Sequence, residues 1–253
     1  MNKLEVINKV SRITWLFWFM KIVATTLGET LGDFLSMTLG LGYMIGIAIT
    51  LSLFSILIVF QLNLKRFIPL VYWLVIIATT TLGTEISDYL DRSLGLGYSL
   101  GSSILFCCLI CTLIIWRLKF KNLSVYPISD RLKEMYYWMA ILFSNSLGTA
   151  FGDYLGDNLG LSYLWGAAIT GCIILIVIGL HYFTQLNQIV LFWIAFIFTR
   201  PFGATFGDLL TKPISKGGLN FGTAQASLIA ILIMGILIYY SNQMNQKEEQ
   251  RTI

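Results

Sequence analysis

Charge is what this chain has least of. Asp, Glu, Lys and Arg make up 12% of its 253 residues, against roughly 25% in an ordinary globular domain. That is too little to cover a water-facing surface of this size, which excludes a soluble enzyme. Histidine is limited to His181, and neither H-E-x-x-H nor G-x-S-x-G occurs, so the common hydrolytic sites are missing too. His181 ends an apolar run and reads as an interfacial residue. The cysteines, Cys107, Cys108, Cys111 and Cys172, all lie in apolar runs. They read as small apolar residues rather than as a disulfide framework or a soft-metal site. The net charge of +4 comes with no basic run interleaved with aromatics, so nucleic acid is not an expected partner. With 57% hydrophobic residues and a mean hydropathy of +0.77, the chain is expected to be an integral membrane protein whose main partner is the lipid bilayer.

What is present is one unit repeated. Thr26-Leu-Gly-Glu-Thr-Leu-Gly-Asp33-Phe-Leu returns as Thr81-Leu-Gly-Thr-Glu-Ile-Ser-Asp88-Tyr-Leu, then as Ser146-Leu-Gly-Thr-Ala-Phe-Gly-Asp153-Tyr-Leu, and last as Pro201-Phe-Gly-Ala-Thr-Phe-Gly-Asp208-Leu-Leu. Trp15, Trp73, Trp138 and Trp193 precede the motif Asp by 15 to 18 residues. Three copies continue into Leu-Gly-Leu-Gly-Tyr43, Leu-Gly-Leu-Gly-Tyr98 and Leu-Gly-Leu-Ser-Tyr163; the fourth has Lys216-Gly-Gly-Leu219 instead. Asp33 to Asp88 and Asp153 to Asp208 are each 55 residues, whereas Asp88 to Asp153 is 65. The copies therefore group into a first half (1–116), a linker (117–134), a second half (135–241) and a polar tail (242–253).

Each copy holds two apolar stretches. The first of each pair is expected near 12–35, 67–90, 135–157 and 189–211, the second near 42–60, 98–116, 161–182 and 219–240. A span needs about 20 residues, so an all-α fold of eight transmembrane helices is predicted. The first stretch lacks a small-x-small cleavage site after it and reads as a retained helix. Lys3, Lys9, Arg12, Lys65, Arg66, Arg117, Lys119, Lys121, Arg131, Lys133, Lys247 and Arg251 fall outside the spans on one side, and Arg92, Lys212 and Lys216 on the other. The positive-inside rule then places both termini in the cytoplasm, in a bacterial inner membrane. Two spans per copy make the repeats parallel, so the motif Asp residues lie at one depth.

Gly28-x3-Gly32, Gly83-x3-Ser87, Gly148-x3-Gly152 and Gly203-x3-Gly207 are small-xxx-small patterns, which mark closely packed helix faces in lipid. The motif-bearing helices should form an inner ring. A carboxylate inside a span needs a cation, a proton or water. Asp33, Asp88, Asp153 and Asp208, with Glu29 and Glu85 beside the first two, are the candidate metal ligands. Thr26, Thr30 and Asp33 share one helical stripe, and Thr81 and Asn145 add neutral oxygens. Such oxygen donors suit Mg²⁺, Ca²⁺ or Mn²⁺. Lys21 and Arg200 lie within spans and compete for the same acids, Arg200 reaching another helix. Asp91 and Asp157 read as solvated turn residues. The glycine-rich sequel reads as a tight turn, and Trp15, Trp18, Trp73, Trp138 and Trp193 as an interface belt.

The L-G-x-x-x-[GS]-D-[FY]-L motif and its Leu-Gly-Leu-Gly-Tyr sequel resemble, over nearly the whole chain, a bacterial family of uncharacterised membrane-anchored proteins whose function is unsettled. The Asp-bearing repeats are also loosely similar to cation/proton exchangers and manganese exporters, although the best-known exchangers of this kind have inverted repeats. The residues lead to a secondary transporter of a divalent cation, Mn²⁺ favoured, with proton coupling and no cofactor. A homo-oligomer is compatible with this reading. A channel lined by the same ring and a non-transporting scaffold held by salt bridges are the alternatives.

Overall fold

The computed structural model describes residues 8–250; Lys3 and Arg251 of the expected topology code lie outside them. The described residues form eight α-helices and no strand: α1 Trp15–Asp33, α2 Gly42–Asn63, α3 Pro69–Asp88, α4 Gly97–Phe120, α5 Arg131–Asp153, α6 Tyr163–Phe183, α7 Gln188–Thr211 and α8 Thr223–Gln250. Six of them are long and apolar enough to cross a membrane, namely α2, α3, α4, α6, α7 and α8. The other two, α1 with 19 residues and α5 with 23, carry more charge, including Lys21, Glu29 and Asp33 on α1 and Arg131, Lys133, Glu134 and Asp153 on α5. Both lie in the inner ring, where neighbouring helices, not lipid, cover much of the surface.

The odd-numbered helices form that ring. Helix α1 packs on α3 and α7, and α5 packs on the same two from the far side. Small residues set the close approach. A Cβ on Gly28 would overlap Thr80, on Gly83 the backbone at Asn145–Ser146, on Gly148 Arg200, and on Gly203 Thr25. Each motif glycine thus meets the residue immediately before the motif in the next helix round, and the fourth helix closes onto the first. Hydroxyls follow the same rule: Thr80 Oγ1 donates to the Ala24 carbonyl (3.1 Å) and Thr25 Oγ1 to Thr199 (3.4 Å).

The even-numbered helices lie outside and are handed on round the ring. Helix α2 packs on α3, α4 on α5, α6 on α7, and α8 returns to α1. No repeat covers its own inner helix, so one repeat alone has no core to bury. The outer helices expose Ile45, Leu53, Ile56, Phe106, Leu175 and Ile236, as a lipid-facing surface requires and an aqueous one forbids.

Three inner helices run past the motif Asp into a π-helical turn: Phe34–Thr38, Tyr89–Ser93 and Tyr154–Asn158. Backbone bonds from Leu39, Leu94 and Leu159 back to Phe34, Tyr89 and Tyr154 close these turns at 2.9 to 3.1 Å. The motif Asp is therefore inside a helix in these copies. The fourth copy ends at Thr211, where Lys212, the residue before Pro213, is extended (φ −70°, ψ 156°), the backbone that a following proline favours. The glycine sequel is a turn, as expected: Gly40 and Gly42 take φ of +66° and +74° with open space around them.

The tryptophans do not form a belt. Trp73, Trp138 and Trp193 are buried at the ring's opposite end, packed with Tyr72, Tyr137 and Phe192, and of the five residues expected in the belt Trp15 alone is well exposed. Lying on ring helices, they face the bundle instead of the interface. The same end is tied by the segment before α1. Lys9 Nζ pairs with buried Glu134 (3.0 Å) and donates to the Leu62 carbonyl (3.1 Å), and Gln61 Nε2 donates to Glu134 (2.8 Å). Lys9 thus serves packing as well as any topology code.

Candidate functional site

Four-residue steps bring one residue from each inner helix to the ring interior at successive depths. On α1 the stripe is Lys21, Thr25, Glu29 and Asp33. Its counterparts by register are Ile76, Thr80, Thr84 and Asp88 on α3, Ile141, Asn145, Thr149 and Asp153 on α5, and Phe196, Arg200, Ala204 and Asp208 on α7. The interior stripe differs from the expected Thr26–Thr30–Asp33 one. Thr30 Oγ1 instead meets Ser227 Oγ of α8 at 2.9 Å. Thr81 Oγ1 donates to the Ile77 carbonyl of its own helix (3.0 Å), and Thr26 Oγ1 is buried without a hydrogen bond.

Arg200 is wholly buried and crosses the ring. Its Nη2 donates to Glu29 Oε2 (2.8 Å), Thr84 Oγ1 (2.5 Å) and Thr149 Oγ1 (2.6 Å). Those partners occupy one register position on the three other ring helices. One guanidinium therefore closes the centre, replacing the symmetry of the repeats with a single off-centre plug. Lys21, one turn deeper, has no carboxylate. Its Nζ donates to Asn145 Oδ1 (2.9 Å) and lies 4.0 Å from the Phe196 ring centroid. Asn145 also donates to Thr79 Oγ1 (3.1 Å). Arg200 thus neutralises an acid as expected, whereas Lys21 and Asn145 satisfy each other.

Above Arg200 the motif acids form a buried layer bridged by two cations. Arg92 Nη1 pairs with Asp88 (3.3 Å) and Nη2 with Asp153 (3.0 Å). Lys212 Nζ pairs with Asp33 (2.6 Å) and Asp208 (3.2 Å). Each cation stands four residues after its own motif Asp and reaches the Asp of the next repeat. Copies one and three have Met37 and Asp157 at that position. The layer is thus twofold, not fourfold.

Glu29, Asp33 and Asp208 form the one cluster among the described residues able to hold a metal ion, each offering one oxygen within 4.8 Å of the others. Asp88 and Asp153 belong to the other bridge. Glu85 stands apart. It is fully buried against Gly46 of α2, where a Cβ would overlap it, and neither of its oxygens accepts a hydrogen bond. Asp91, expected in solvent, is buried against Gly101 of α4 because the π turn carries it inward. Asp157 is exposed and accepts from Tyr98 (2.7 Å). Four contributors to the layer had no site role in the sequence reading: Arg92, Lys212, Tyr43 and Tyr98. The two tyrosines receive hydrogen bonds from Arg92 at 3.0 and 3.2 Å. A signal existed, since Arg92 and Lys212 lie 120 residues apart, the same interval that separates Asp88 from Asp208.

Helices with lipid-facing apolar surfaces around a ring of repeated polar motifs define a multi-pass membrane protein built from four repeats. The family described as Repeat of Unknown Function (DUF347) matches residues 16–67, 71–121, 136–187 and 191–243, and the chain belongs to it. No curated protein and no solved structure shows significant similarity to the chain.

Proposed function

We propose that this protein is a secondary transporter of a divalent metal cation, with Glu29, Asp33 and Asp208 as the ligands. The observation that carries this reading is the convergence of three buried carboxylates from α1 and α7 within 4.8 Å. Carboxylate oxygens are the donors that Mg²⁺, Ca²⁺ and Mn²⁺ prefer. Mn²⁺ is the first cargo to test, on the analogy with Asp-bearing manganese exporters. Five acids in or beside the layer face Arg92, Lys212 and Arg200, so a further positive charge is accommodated there. Protons exchanging at the acids would supply the coupling. No enzymatic step is part of this reading.

In this reading all eight helices span a bacterial inner membrane, with both termini in the cytoplasm. Helix α1 supports it by packing against α3 and α7 along its length, from Phe17 beside Trp73 and Phe192 to Asp33 beside Lys212. A helix gripped at both ends by spanning neighbours shares their depth. Arg200 and the aromatic layer of Phe17, Tyr72, Tyr137 and Phe192 fill the ring below the site. That favours a carrier that must rearrange over an open channel.

The scaffold reading keeps one specific support, the pairing of Glu29 with Arg200. Flux of Mn²⁺ into proteoliposomes separates the readings. Saturable uptake by the wild type, abolished in Asp33→Asn and Asp208→Asn variants that stay folded, is expected. No uptake by the wild type, or equal uptake by both variants, would end the transport reading at this site.

A further inference from the structure

Lys212 and Arg92 hold the same register position in alternate repeats, yet they are held very differently. Arg92 is fixed by its whole fork. Its nitrogens reach Tyr98, Tyr43, Asp88 and Asp153 at 3.0 to 3.3 Å. Lys212 is a point charge on a four-carbon stem, held by Asp33 at 2.6 Å and lying 3.2 Å from Asp208. Asp208 Oδ1, although buried and next to that ammonium, accepts no hydrogen bond. The acid thus has a charge beside it but no donor aimed at it. A planar fork is pre-organised for several acceptors at once, whereas an ammonium is a compact charge that moves with its stem.

The acids under the two cations differ as well. Below the Arg92 bridge the interior stripe presents Thr84 and Thr149, both of which accept from Arg200. Below the Lys212 bridge it presents Glu29, which also accepts from Arg200 (2.8 Å) but, being a carboxylate, completes the three-carboxylate cluster. Each bridge leaves one buried aspartate oxygen without a hydrogen bond, Asp88 Oδ1 and Asp208 Oδ1, so what sets the Lys212 bridge apart is its flexible cation together with a third acid within reach.

We propose that Lys212 is a tethered counter-ion of the metal site, occupying the acids with its ammonium and leaving them when a divalent cation enters. This rests on the ligand set assigned above. The ammonium neutralises part of the layer at rest, so the empty site does not hold unpaired acids in a dry interior. It also competes with the cargo, which keeps the metal from being held too tightly to release. The Arg92 bridge stays made throughout and acts as the fixed wall of the layer.

The test uses the full-length protein in detergent with Mn²⁺ alone as the probe. Equilibrium dialysis should show tighter Mn²⁺ binding to Lys212→Met than to the wild type by about fivefold, the upper scale of one partly solvated ion pair removed as a competitor. Arg92→Met should show no such gain. A second measurement needs no variant. Reductive methylation with formaldehyde, followed by mass spectrometry, should label Lys212 more in saturating Mn²⁺ than without it, because the displaced ammonium becomes accessible. Equal affinity in wild type and Lys212→Met, or Lys212 labelling that stays constant or falls while Mn²⁺ is bound, would overturn the counter-ion role and leave the ligand set intact. Failure of the wild type and of Lys212→Met to bind Mn²⁺, Mg²⁺ or Ca²⁺ would overturn the ligand set, and the counter-ion role with it. Should Lys212→Met fail to fold, the labelling of the wild type decides.

Discussion

The two bridges across the motif layer start from the same register in alternate repeats and are bonded very differently. Asp88–Arg92–Asp153 is a densely bonded network: the guanidinium reaches two carboxylates and two tyrosines, and only Asp88 Oδ1 accepts no hydrogen bond among its buried oxygens. Asp33–Lys212–Asp208 is sparse, with one short hydrogen bond, one longer contact and a third carboxylate nearby. Repetition supplied four equivalent aspartates, and divergence at neighbouring positions gave them different partners. Buried charges persist when paired and hydrogen-bonded, so a densely bonded bridge serves as structure. A sparsely bonded one has charge left over for a ligand.

The largest way to break the contrast is to remove the floor beneath both bridges. Arg200→Met leaves Glu29 buried without its cation and should cost about 3–5 kcal/mol, the usual penalty for orphaning one member of a buried pair. Thermal unfolding in detergent should show it. Arg200→Lys should rescue little, because an ammonium cannot reproduce the reach to Glu29, Thr84 and Thr149. Retention of wild-type stability by Arg200→Met would mean that Glu29 does not depend on it.

Exchanging the cations sharpens the contrast directly. Arg92→Lys keeps the charge and loses fork contacts, so it should destabilise by about 1–3 kcal/mol. Lys212→Arg puts the better donor into the sparse bridge and should leave stability nearly unchanged. If the two exchanges give equal losses of melting temperature, the bridges are equivalent and the contrast fails. The smallest effect should come from Tyr98→Phe, which removes one acceptor for Arg92 and the donor to Asp157. A loss of about 0.5–1.5 kcal/mol is expected on the scale of a single hydrogen bond.

Much of the architecture was legible in the residues. Motif and spacing separate four copies, and the alternation of a motif-bearing with a plainly apolar stretch predicts the eight helices. The small-xxx-small pattern points to an inner ring because close helix approach in lipid has few other means. The site was legible in part. Depth follows from the repeat, so the shared layer of Asp33, Asp88, Asp153 and Asp208 was expected. Facing was harder. Residues at i, i+3 and i+4 all lie near one another on a helix, and the stripes through Thr26–Thr30 and through Thr25–Glu29 differ by about one residue in rotation. Choosing between them decides whether Thr30 meets a metal or Ser227. Glu85 shows the same difficulty: it is one position on from Thr84, and that step turns it from the ring interior to Gly46. Tryptophans at helix ends read as interfacial by composition, but a ring helix shows its end to its neighbours, which is why Trp73 and Trp138 are buried.

The scarcity of charge has a physical sequel in where the charges were put. By itself the sequence determined that the chain belongs in a membrane, that it is one unit four times over, and that its acids share one depth. These properties are periodic and local, so they survive in one dimension. Only the tertiary structure decided which acid meets which cation. That outcome depends on α3 lying beside α5 and on the ring closing α7 onto α1, which brings Arg92 to Asp153, Lys212 to Asp33 and Arg200 to Glu29, and on Arg200 reaching past its own repeat to the other three. A charge pair across a closed ring has no signature along the chain, because the contact is set by ring closure and not by spacing.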